Sequence, residues 1–310
     1  MDEFDRIAAF FAPLAGEAGL GLKDDAAVIT PPPGRQLVLT VDQMLEGVHF
    51  LTGDDPATIA RKLLRRNLSD LAAMGAEPLG YLLTTALPSS LPEGWLAGFA
   101  AGLEKDQREF AITLLGGDSS SSCTDIALTA TLIGHVAPGK ALRRNGAKAG
   151  DEIWVTGTIG DAALGLEARR GLLADPTGFL TRRSLLPEPR MNLSLAGIVN
   201  AAIDVSDGLI QDLGHICRES SLSAVVQSGP VPLSSEAAAQ GPDVLELRLT
   251  GGDDYELILA VSPEKANALR AACAGIKITR IGVFKAGEGV ELCGDNNAPL
   301  NLASAGWKHF

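Results

Sequence analysis

The sequence predicts a two-domain protein of the α/β class. Its 310 residues are enough for two domains, since single domains commonly run to about 100 to 200 residues. Apolar runs rich in β-branched residues alternate with helical patterns, which is typical of α/β folds. A basic, glycine-rich segment at 138–150 indicates a connection between domains. We therefore place an N-terminal domain at 1–140 and a C-terminal domain at 141–310.

The N-terminal half contains strands that are predicted to deliver acidic residues at their ends. The run QLVLTVD predicts a buried strand that ends at Asp42. Segment 55–74 predicts a helix, because Asp55 suits the N-cap, Pro56 the first turn and Gly75 the stop. In order, the predicted elements are a helix at 4–14, an acidic loop with Asp24 and Asp25, the strand at 36–42, helices at 55–74 and 95–110, a strand and glycine turn before Asp118, a serine-rich loop at 119–122 and a strand at 125–136.

The helix at 55–74 has an apolar face that includes two polar residues. At 100° per residue, Asn67 and Asp70 fall among the leucines. A buried carboxylate without a partner is costly, so Asp70 needs a cation or several hydrogen-bond donors. A structural salt bridge and a role in a metal or binding site both stay open, but the basic residues are predicted on the opposite, polar arc. That arc holds Arg61, Lys62, Arg65, Arg66 and Ser69.

The C-terminal half is predicted to continue the same pattern. In its key stretch, AIDVSDGLIQDL at 202–213, an apolar strand ends at Asp204 and a helical pattern follows Asp207. In order, the predicted elements are a strand at 151–156, a turn at 157–160 and a helix, a loop at 180–189, a helix at 190–200, the strand and helix of the key stretch, a strand near 224–227, a helix at 234–240, two strands within 245–261 split by Gly251 and Gly252, a helix at 264–274 and further strands.

Composition excludes several classes of function. A net charge of -12 and a pI near 4.8 argue against nucleic acid as the main partner. The chain shows neither a basic and apolar leader nor an apolar run of about 18 residues, so secretion and membrane insertion are not expected. Its four cysteines are scattered without CxxC spacing, which favours free thiols in a reducing compartment. We expect a cytoplasmic protein.

Acidic residues follow strand-like runs at Asp42, Asp118, Asp204 and Asp253. Taken singly, each is equally consistent with a turn-forming residue. Several hard carboxylate oxygens with few histidines favour magnesium over zinc or copper. Because magnesium binds through a few carboxylates plus substrate phosphates, these acids together predict a polyphosphate ligand. The acids predicted to face one site are Asp25, Asp42, Asp70, Asp118 and Asp204.

Two other phosphate-chemistry motifs fail on their chemistry. The segment 134–141 approaches a P-loop, but Ala141 lacks the hydroxyl for magnesium and Pro138 removes a backbone donor. The pair Asp204 and Asp207 misses by one residue the Asp-x-Asp spacing of an aspartyl-phosphate phosphatase. Neither a P-loop enzyme nor that class of phosphatase is predicted.

Eight motifs follow one another along nearly the whole chain. They are DDAAVI (24–29), VDQMLEGVHF (41–50), NLSDLAAMGAEP (67–78), LLGGD (114–118), RNGAKAGD (144–151), VTGTIGDAALGL (155–166), IDVSDGL (203–209) and GGDDYEL (251–257). In sequence and in order these motifs resemble those of the thiamine-monophosphate kinases, a family in the superfamily of aminoimidazole ribonucleotide synthetase and selenophosphate synthetase.

This resemblance implies a two-domain PurM-like architecture. An N-terminal mixed sheet with helices would bind ATP and magnesium and form a homodimer interface, and a C-terminal α/β domain would close over the active site. The implied reaction is transfer of the ATP γ-phosphoryl group to thiamine monophosphate, with Asp42 and Arg144 positioning charge and no acid–base residue. The implied ligands of several magnesium ions are Asp25, Thr40, Val41, Asp42, Asp70, Asp118, Asp204 and Asp207; those of ATP are Arg144 and Ser206; those of the thiamine phosphate are His49, Asp253 and Trp307.

The sequence departs from the family at a few positions. Val41 stands where the family often has a hydroxyl residue, so a metal contact there must use the backbone. Asp253 replaces the usual Glu, Lys23 a customary Gly, and a serine run follows Asp118 in place of two threonines. Two alternatives stay open: another ATP-dependent member of the superfamily, or a non-catalytic regulator that binds nucleotide or thiamine phosphate. Ser206 as a helix N-cap and Trp307 as a packed aromatic are the corresponding structural interpretations.

Overall fold

A computed structural model describes residues 3–294 and 297–307. The chain divides into two compact units: unit 1 comprises Met1–Leu71 and Ala76–Gly139, and unit 2 comprises Ala72–Gly75 and Lys140–Phe310. Ala73, just past unit 1, packs in a core cluster of unit 2 together with Leu142. The fold is a mixed α/β fold with one mixed sheet in each unit, as the sequence predicted.

Unit 1 is built on a four-stranded sheet in the order β1-β4-β2-β3. β2 and β3 are parallel, while β4 is antiparallel to both of its neighbours. The N-terminal segment also contains a π-helix at Ile7–Phe11 and 3-10 helices at Ala12–Leu14 and Glu17–Leu22. The named elements are α1 (Glu3–Arg6), β1 (Gln36–Leu45), α2 (Pro56–Ala73), β2 (Glu77–Pro88), α3 (Glu93–Phe110), β3 (Thr113–Ser122) and β4 (Ala127–Val136).

The two faces of this sheet differ in burial. On one face the aligned rows Thr40–Leu132–Tyr81 and Asp42–Ala130–Leu83 lie under α2 and α3, and Tyr81 and Leu132 are fully buried. The other face carries apolar side chains that stay exposed in the single chain, in contrast to an ordinary solvated face. These exposed side chains are Leu37, Leu39, Val41, Leu45 and Leu82.

Three local predictions for unit 1 were wrong. β1 continues past Asp42 to Leu45, because all ten of its residues pair with β4. Likewise no glycine turn precedes Asp118 and no loop follows it: β3 runs on to Ser122 because it pairs with β2 up to Pro88. The predicted regular helix at 4–14 changes type along its length, and Pro13 lies within its last 3-10 turn. The helix at 55–74 was predicted correctly as α2.

Unit 2 is built on a six-stranded mixed sheet in the order β10-β7-β9-β5-β8-β6. Its strand β8 is buried throughout, with alternate side chains in core clusters on the two faces. The named elements are β5 (Glu152–Thr156), α4 (Asp161–Arg169), α5 (Phe179–Leu185), β6 (Ala201–Asp204), α6 (Leu209–Ser220), β7 (Ser223–Gln227), α7 (Ser235–Ala238), α8 (Leu245–Thr250), β8 (Leu257–Val261), α9 (Ala266–Ala272), β9 (Ile278–Lys285) and β10 (Gly289–Cys293).

Three predictions for unit 2 were wrong as well. The segment before the double glycine is the helix α8, because β8 already pairs with β5 and β6 and leaves no free edge. The predicted loop at 180–189 contains most of α5, whose Leu180 is fully buried. The predicted helix at 190–200 consists of turns and irregular chain, in which Arg190 pairs with a buried Glu256 and Asn200 N donates to Ala260 O.

Within the described residues, no helix is long and apolar enough to cross a membrane.

Candidate functional site

A first group of predicted site residues lies between β1 and α2 in unit 1. Thr40 and Asp42 are two residues apart on the edge strand β1, so their side chains share its helix-covered face. The Thr40 hydroxyl donates to Asp70 Oδ2 of α2 at 2.5 Å. Arg66 Nε lies 3.6 Å from Asp42 Oδ2. Val41 points to the opposite face and is 60% exposed, so only its backbone is available to a ligand on the covered side.

The basic arc predicted for α2 is not solvent-facing. Lys62, Arg65 and Ser69 are all buried. The reason is Asp106 of α3, a fully buried carboxylate that accepts from Arg61 Nε at 2.7 Å and from Arg65 Nε at 2.7 Å. Burial tends to lower the pKa of Arg65, but hydrogen bonding and charge attraction to Asp106 raise it on balance. This ion-pair cluster joins α2 to α3 and holds the helix that carries Asp70.

His49 is held by two backbone contacts in the loop after β1. The backbone N–H of Leu45 donates to His49 Nδ1 at 3.0 Å. That nitrogen therefore accepts, and a neutral ring carries its hydrogen on Nε2. Lys62 Nζ, on a buried side chain of α2, donates to the His49 carbonyl at 3.2 Å. The loop is thus tied to α2, a connection that the sequence analysis did not predict.

Asp25 and Asp118 line a separate cavity in unit 1 of about 520 Å³. The wall is mainly apolar, with Phe11, Leu22 and Leu115 among its residues, and Asp24 joins the acidic side. Asp118 aligns with Thr84 of β2, on the sheet face opposite to Asp42. The structure therefore brings Asp25 and Asp118 to one cavity, but it does not bring Asp118 to the Thr40 group.

The donor chemistry of both groups fits a hard divalent cation, since it consists of carboxylate and hydroxyl oxygens. The close approach of Thr40 to Asp70 places two such oxygens side by side. Among residues 3–294 and 297–307, however, no three acidic, histidine or cysteine side chains converge as a metal-binding group. One ion cluster shared by five aspartates therefore stays a prediction.

In unit 2, a loop at 206–208 joins β6 to α6. Asp204 ends β6, as predicted, and is only 4% exposed. The backbone N–H groups of Ser206, Asp207 and Gly208 all donate to Asp212 Oδ2, at 2.9, 3.0 and 3.1 Å. The residue before α6 is Gly208 and makes no side-chain cap, so the interpretation of Ser206 as a helix N-cap was wrong. The Asp212 carboxylate, and not the Ser206 hydroxyl, accepts hydrogen bonds from the N–H groups before α6.

Sequence reasoning missed Asp212, although a signal was present. At helical spacing Asp212 falls among Leu209, Leu213 and Ile216, the same anomaly that singled out Asp70. Burial, followed by repulsion from the Asp204 charge, raises the pKa of Asp212 to about 8.

Asp253 and Trp307 gather around the same loop. Asp253 lies in the left-handed region, with φ 64°, and its N–H donates to Ser206 O at 2.9 Å. The Tyr255 hydroxyl donates to Asp253 Oδ1 at 3.0 Å. Trp307 N donates to Asp207 O at 2.9 Å, and Trp307 is 52% exposed. Unit 2 therefore brings together four predicted residues around one loop.

Arg144 lies on exposed chain just before the first strand of unit 2. Its carbonyl accepts from Ser220 Oγ, at the end of α6, at 3.2 Å. In the described part of the chain, its guanidinium forms no ion pair with a carboxylate. It is therefore a cation available to an anionic ligand.

A buried polar network behind the loop was also missed. Glu256 is fully buried and accepts from Thr156 Oγ1 at 2.7 Å and from the guanidinium groups of Arg183 and Arg190. Asp254 accepts from Gly160 N at 2.7 Å, and burial raises its pKa to about 8. Asp254 and Glu256 belong to the GGDDYEL motif, but their partners lie up to 100 residues away in the sequence. A local sequence pattern could not pair them.

Comparisons with known proteins place this chain in a family. Residues 23–136 match the model of the AIR synthase related protein, N-terminal domain, and residues 148–294 match that of the C-terminal domain. A thiamine-monophosphate kinase of Caulobacter vibrioides is 44% identical, over 99% of this chain and 90% of its own length.

Two solved structures extend the match to the fold. The thiamine-monophosphate kinase of Stenotrophomonas maltophilia K279a is 37% identical, with a TM-score of 0.84 over 96% of both chains. A structure described as AaThiL complexed with AMPPCP and TMP is 30% identical, with a TM-score of 0.79 over 99% of this chain and 97% of that one. The chain belongs to the thiamine-monophosphate kinase family of the AIR synthase related proteins.

Proposed function

We propose that this protein transfers the γ-phosphoryl group of ATP directly to thiamine monophosphate and releases ADP and thiamine diphosphate. The observation that carries the proposal is the end-to-end similarity to the ThiL structure that holds AMPPCP and TMP. AMPPCP is an ATP analogue with a methylene bridge between its last two phosphorus atoms. In this chain, the oxygen-rich group around Asp70 in unit 1, and the Asp204 carboxylate and the exposed Arg144 in unit 2, suit a reaction between two phosphate-bearing substrates.

The residues of unit 1 would hold magnesium through hydroxyl and carboxylate oxygens. In unit 1 the proposed ligands are Thr40, Val41 through its carbonyl, Asp42 and Asp70 in one group, and Asp25 and Asp118 at the cavity. In unit 2 the proposed ligands are Asp204 and Asp207. Magnesium bound by these residues would neutralise charge on the phosphates. Arg66, 3.6 Å from Asp42, keeps that carboxylate oriented on the covered face of the sheet.

The remaining residues would bind and orient the two anions. Arg144 and Ser206 would contact ATP, and His49, Asp253 and Trp307 would contact the thiamine phosphate. A phosphate monoester has a second pKa near ~6 and is mostly dianionic at neutral pH, so the acceptor needs no general base. Catalysis then consists of alignment and charge neutralisation, which agrees with the lack of an evident proton acceptor among the proposed site residues.

A second copy of the chain would cover the exposed apolar face of the unit 1 sheet. The support is the set of leucine and valine side chains that stand out on this face, with Leu39 62% exposed and Val41 60% exposed. Contiguous apolar surface of this kind marks interfaces. We propose that two copies of the chain form a homodimer through this face.

We also propose a cytoplasmic location. The four cysteines are free thiols, as is usual in a reducing compartment.

An acceptor panel tests the proposed activity. Purified protein with ATP and magnesium is offered thiamine monophosphate, thiamine and purine-pathway intermediates, and ADP and product are measured together. We expect ADP only with thiamine monophosphate, in equal amount with thiamine diphosphate. ADP release with a purine intermediate would favour another branch of the superfamily, and tight binding of both ligands without ADP release would favour the regulator.

A further inference from the structure

The start of α6 is not open to phosphate. Free N–H groups at a helix N-terminus commonly bind anions, but here the three N–H groups at 206–208 already donate to Asp212. An anion beside this loop must therefore be bound by side chains. The question is which side chains unit 2 offers next to Ser206.

Helix α6 presents one polar stripe beside its buried face. Gln211, His215 and Arg218 follow each other at spacings of four and three residues, so they share one side of the helix. At the near end, Gln211 Nε2 donates to Asp207 Oδ2 at 3.2 Å. From there the helix rises about 10 Å to Arg218, close to Ser220 and its bond to the Arg144 carbonyl. The stripe thus runs from Asp207, next to Ser206, towards Ser220, which is bonded to the Arg144 carbonyl.

Three members of this region form a basic cluster on an acidic protein: Arg144, His215 and Arg218, which we call the α6 cluster. Arg218 Nη2 contacts His215 Nδ1, and Ser220, two residues after Arg218, donates to the Arg144 carbonyl at 3.2 Å. Arg218 is 65% exposed in its side chain, and its nearest carboxylate, Glu219, is 4.0 Å away. Two guanidinium groups with so little pairing favour an anionic ligand.

The contact between His215 and Arg218 fixes the hydrogen on the imidazole. Arg218 Nη2 contacts His215 Nδ1 at hydrogen-bond distance. A guanidinium can only donate, so Nδ1 accepts and the ring hydrogen is on Nε2. Burial, then the charges of Arg218 and Arg144, lower the pKa of His215 below its usual value. His215 is therefore a neutral ring that offers one N–H donor, held in place by Arg218.

We propose that the α6 cluster binds the phosphate chain of the nucleotide, through the Arg218 guanidinium and His215 Nε2–H in addition to Arg144 and Ser206. The identity of the anion as ATP rests on the proposed function. The arrangement of the two guanidinium groups and the oriented imidazole stands on the structure of unit 2 alone.

Equilibrium binding of ATP to the full-length protein tests the α6 cluster. Loss of a charge-assisted hydrogen bond in Arg218→Gln should raise the ATP dissociation constant roughly tenfold, and His215→Leu should weaken binding in the same direction. His215→Gln carries an amide N–H close to the position of Nε2 and should recover most of the loss. In turnover assays, the KM for ATP should rise while the KM for thiamine monophosphate stays within about twofold.

Arg170→Gln is the matched control, because Arg170 is a helix-end arginine with 52% exposure and a neighbouring glutamate, like Arg218. It removes the same charge elsewhere on unit 2 and should leave ATP binding unchanged. The proposal is overturned if Arg218→Gln and His215→Leu bind ATP like Arg170→Gln, if both KM values rise equally, or if the wild type does not bind ATP. ATP binding without thiamine diphosphate formation would instead refute the proposed function, and the binding series would still decide on the cluster.

Discussion

Replacing Asp106 by Asn should destabilise unit 1 strongly, because Asp106 holds α2 and α3 together. The carboxylate is fully buried and accepts from Arg61 Nε at 2.7 Å, Arg65 Nε at 2.7 Å and Arg65 Nη2 at 3.1 Å. Asn presents N–H groups where Oδ2 accepts now, so it loses one charge-assisted bond, worth about 1.5–3 kcal/mol. The two bonds to the other oxygen then join a charged guanidinium to an uncharged amide oxygen and become weaker.

Together these losses agree with the cost of removing one partner from a buried ion pair, about 3–5 kcal/mol. The assay is urea unfolding followed by fluorescence of Trp95, which stacks on Phe99 within α3 with ring centroids 5.1 Å apart. Trp154 and Trp307 are replaced by Phe in the background, so that the signal reports on unit 1.

The control is Glu104→Gln on the same helix. Glu104 is 49% exposed and pairs with Arg108 across one helical turn, an interaction worth at most about 0.5 kcal/mol. If Asp106→Asn lowered the free energy of unfolding by no more than this control, the cluster would not be what joins α2 to α3.

Three further predictions concern pH, the sheet and the interface. Because the pKa of Asp254 is raised to about 8, its side chain holds a proton in the native state that it loses in the unfolded state between about pH 4 and 8; stability should fall as pH rises through that window, and Asp254 contributes a slope of at most about 1.4 kcal/mol per unit. Asp212, whose pKa is also raised to about 8, contributes a slope of the same sign, so Asp254→Asn should reduce the slope in urea titrations by up to the contribution of Asp254, and an unchanged slope would refute the assignment. Gly117→Ala places a Cβ 1.8 Å from Leu83 O, so it should lower the free energy of unfolding by about 1–3 kcal/mol; a stable variant would show that β2 and β3 separate easily. Leu39→Glu should convert dimer to monomer in sedimentation, and a monomeric wild type would contradict the proposed interface.

The sequence predicted elements best where a local signal decides the structure. α2 is the clearest case, since Asp55 Oδ2 accepts from Thr58 N at 2.9 Å as an N-cap should, and the helix starts at Pro56. The strand end at Asp204 was predicted from an apolar run that is fully buried in the structure. In both cases the residues that define the element lie within it or next to it.

The errors arise where a partner far along the chain decides. The alternation in LELRL is typical of a strand, yet the segment is α8, because the sheet has no free position beside β8. Arg65 looks like a solvent-facing arginine until Asp106, 41 residues later, is placed beside it. The spacing of residues within a segment does not show which distant residue will pack against it.

In the candidate site, too, the local features were predicted from the sequence and the contacts between distant segments were not. Asp253 and Trp307 were predicted separately from the stretch that holds Ser206 and Asp207, and the structure joins them to it through backbone bonds that no pattern reveals. Asp118 was predicted to join Asp42, but the register of four strands puts the two side chains on opposite faces of the sheet. Strand register depends on pairing between distant segments, and a shift by one residue reverses every side chain.

We propose that aspartates of each unit serve magnesium-dependent phosphoryl transfer to thiamine monophosphate. The most direct measurement is magnesium-dependent ADP formation by Asp42→Asn and Asp204→Asn, beside the controls Asp125→Asn and Asp243→Asn at exposed positions. We predict that ADP formation falls to background in the first two variants and stays at the wild-type level in the controls. Near wild-type turnover in Asp42→Asn or Asp204→Asn would contradict the account.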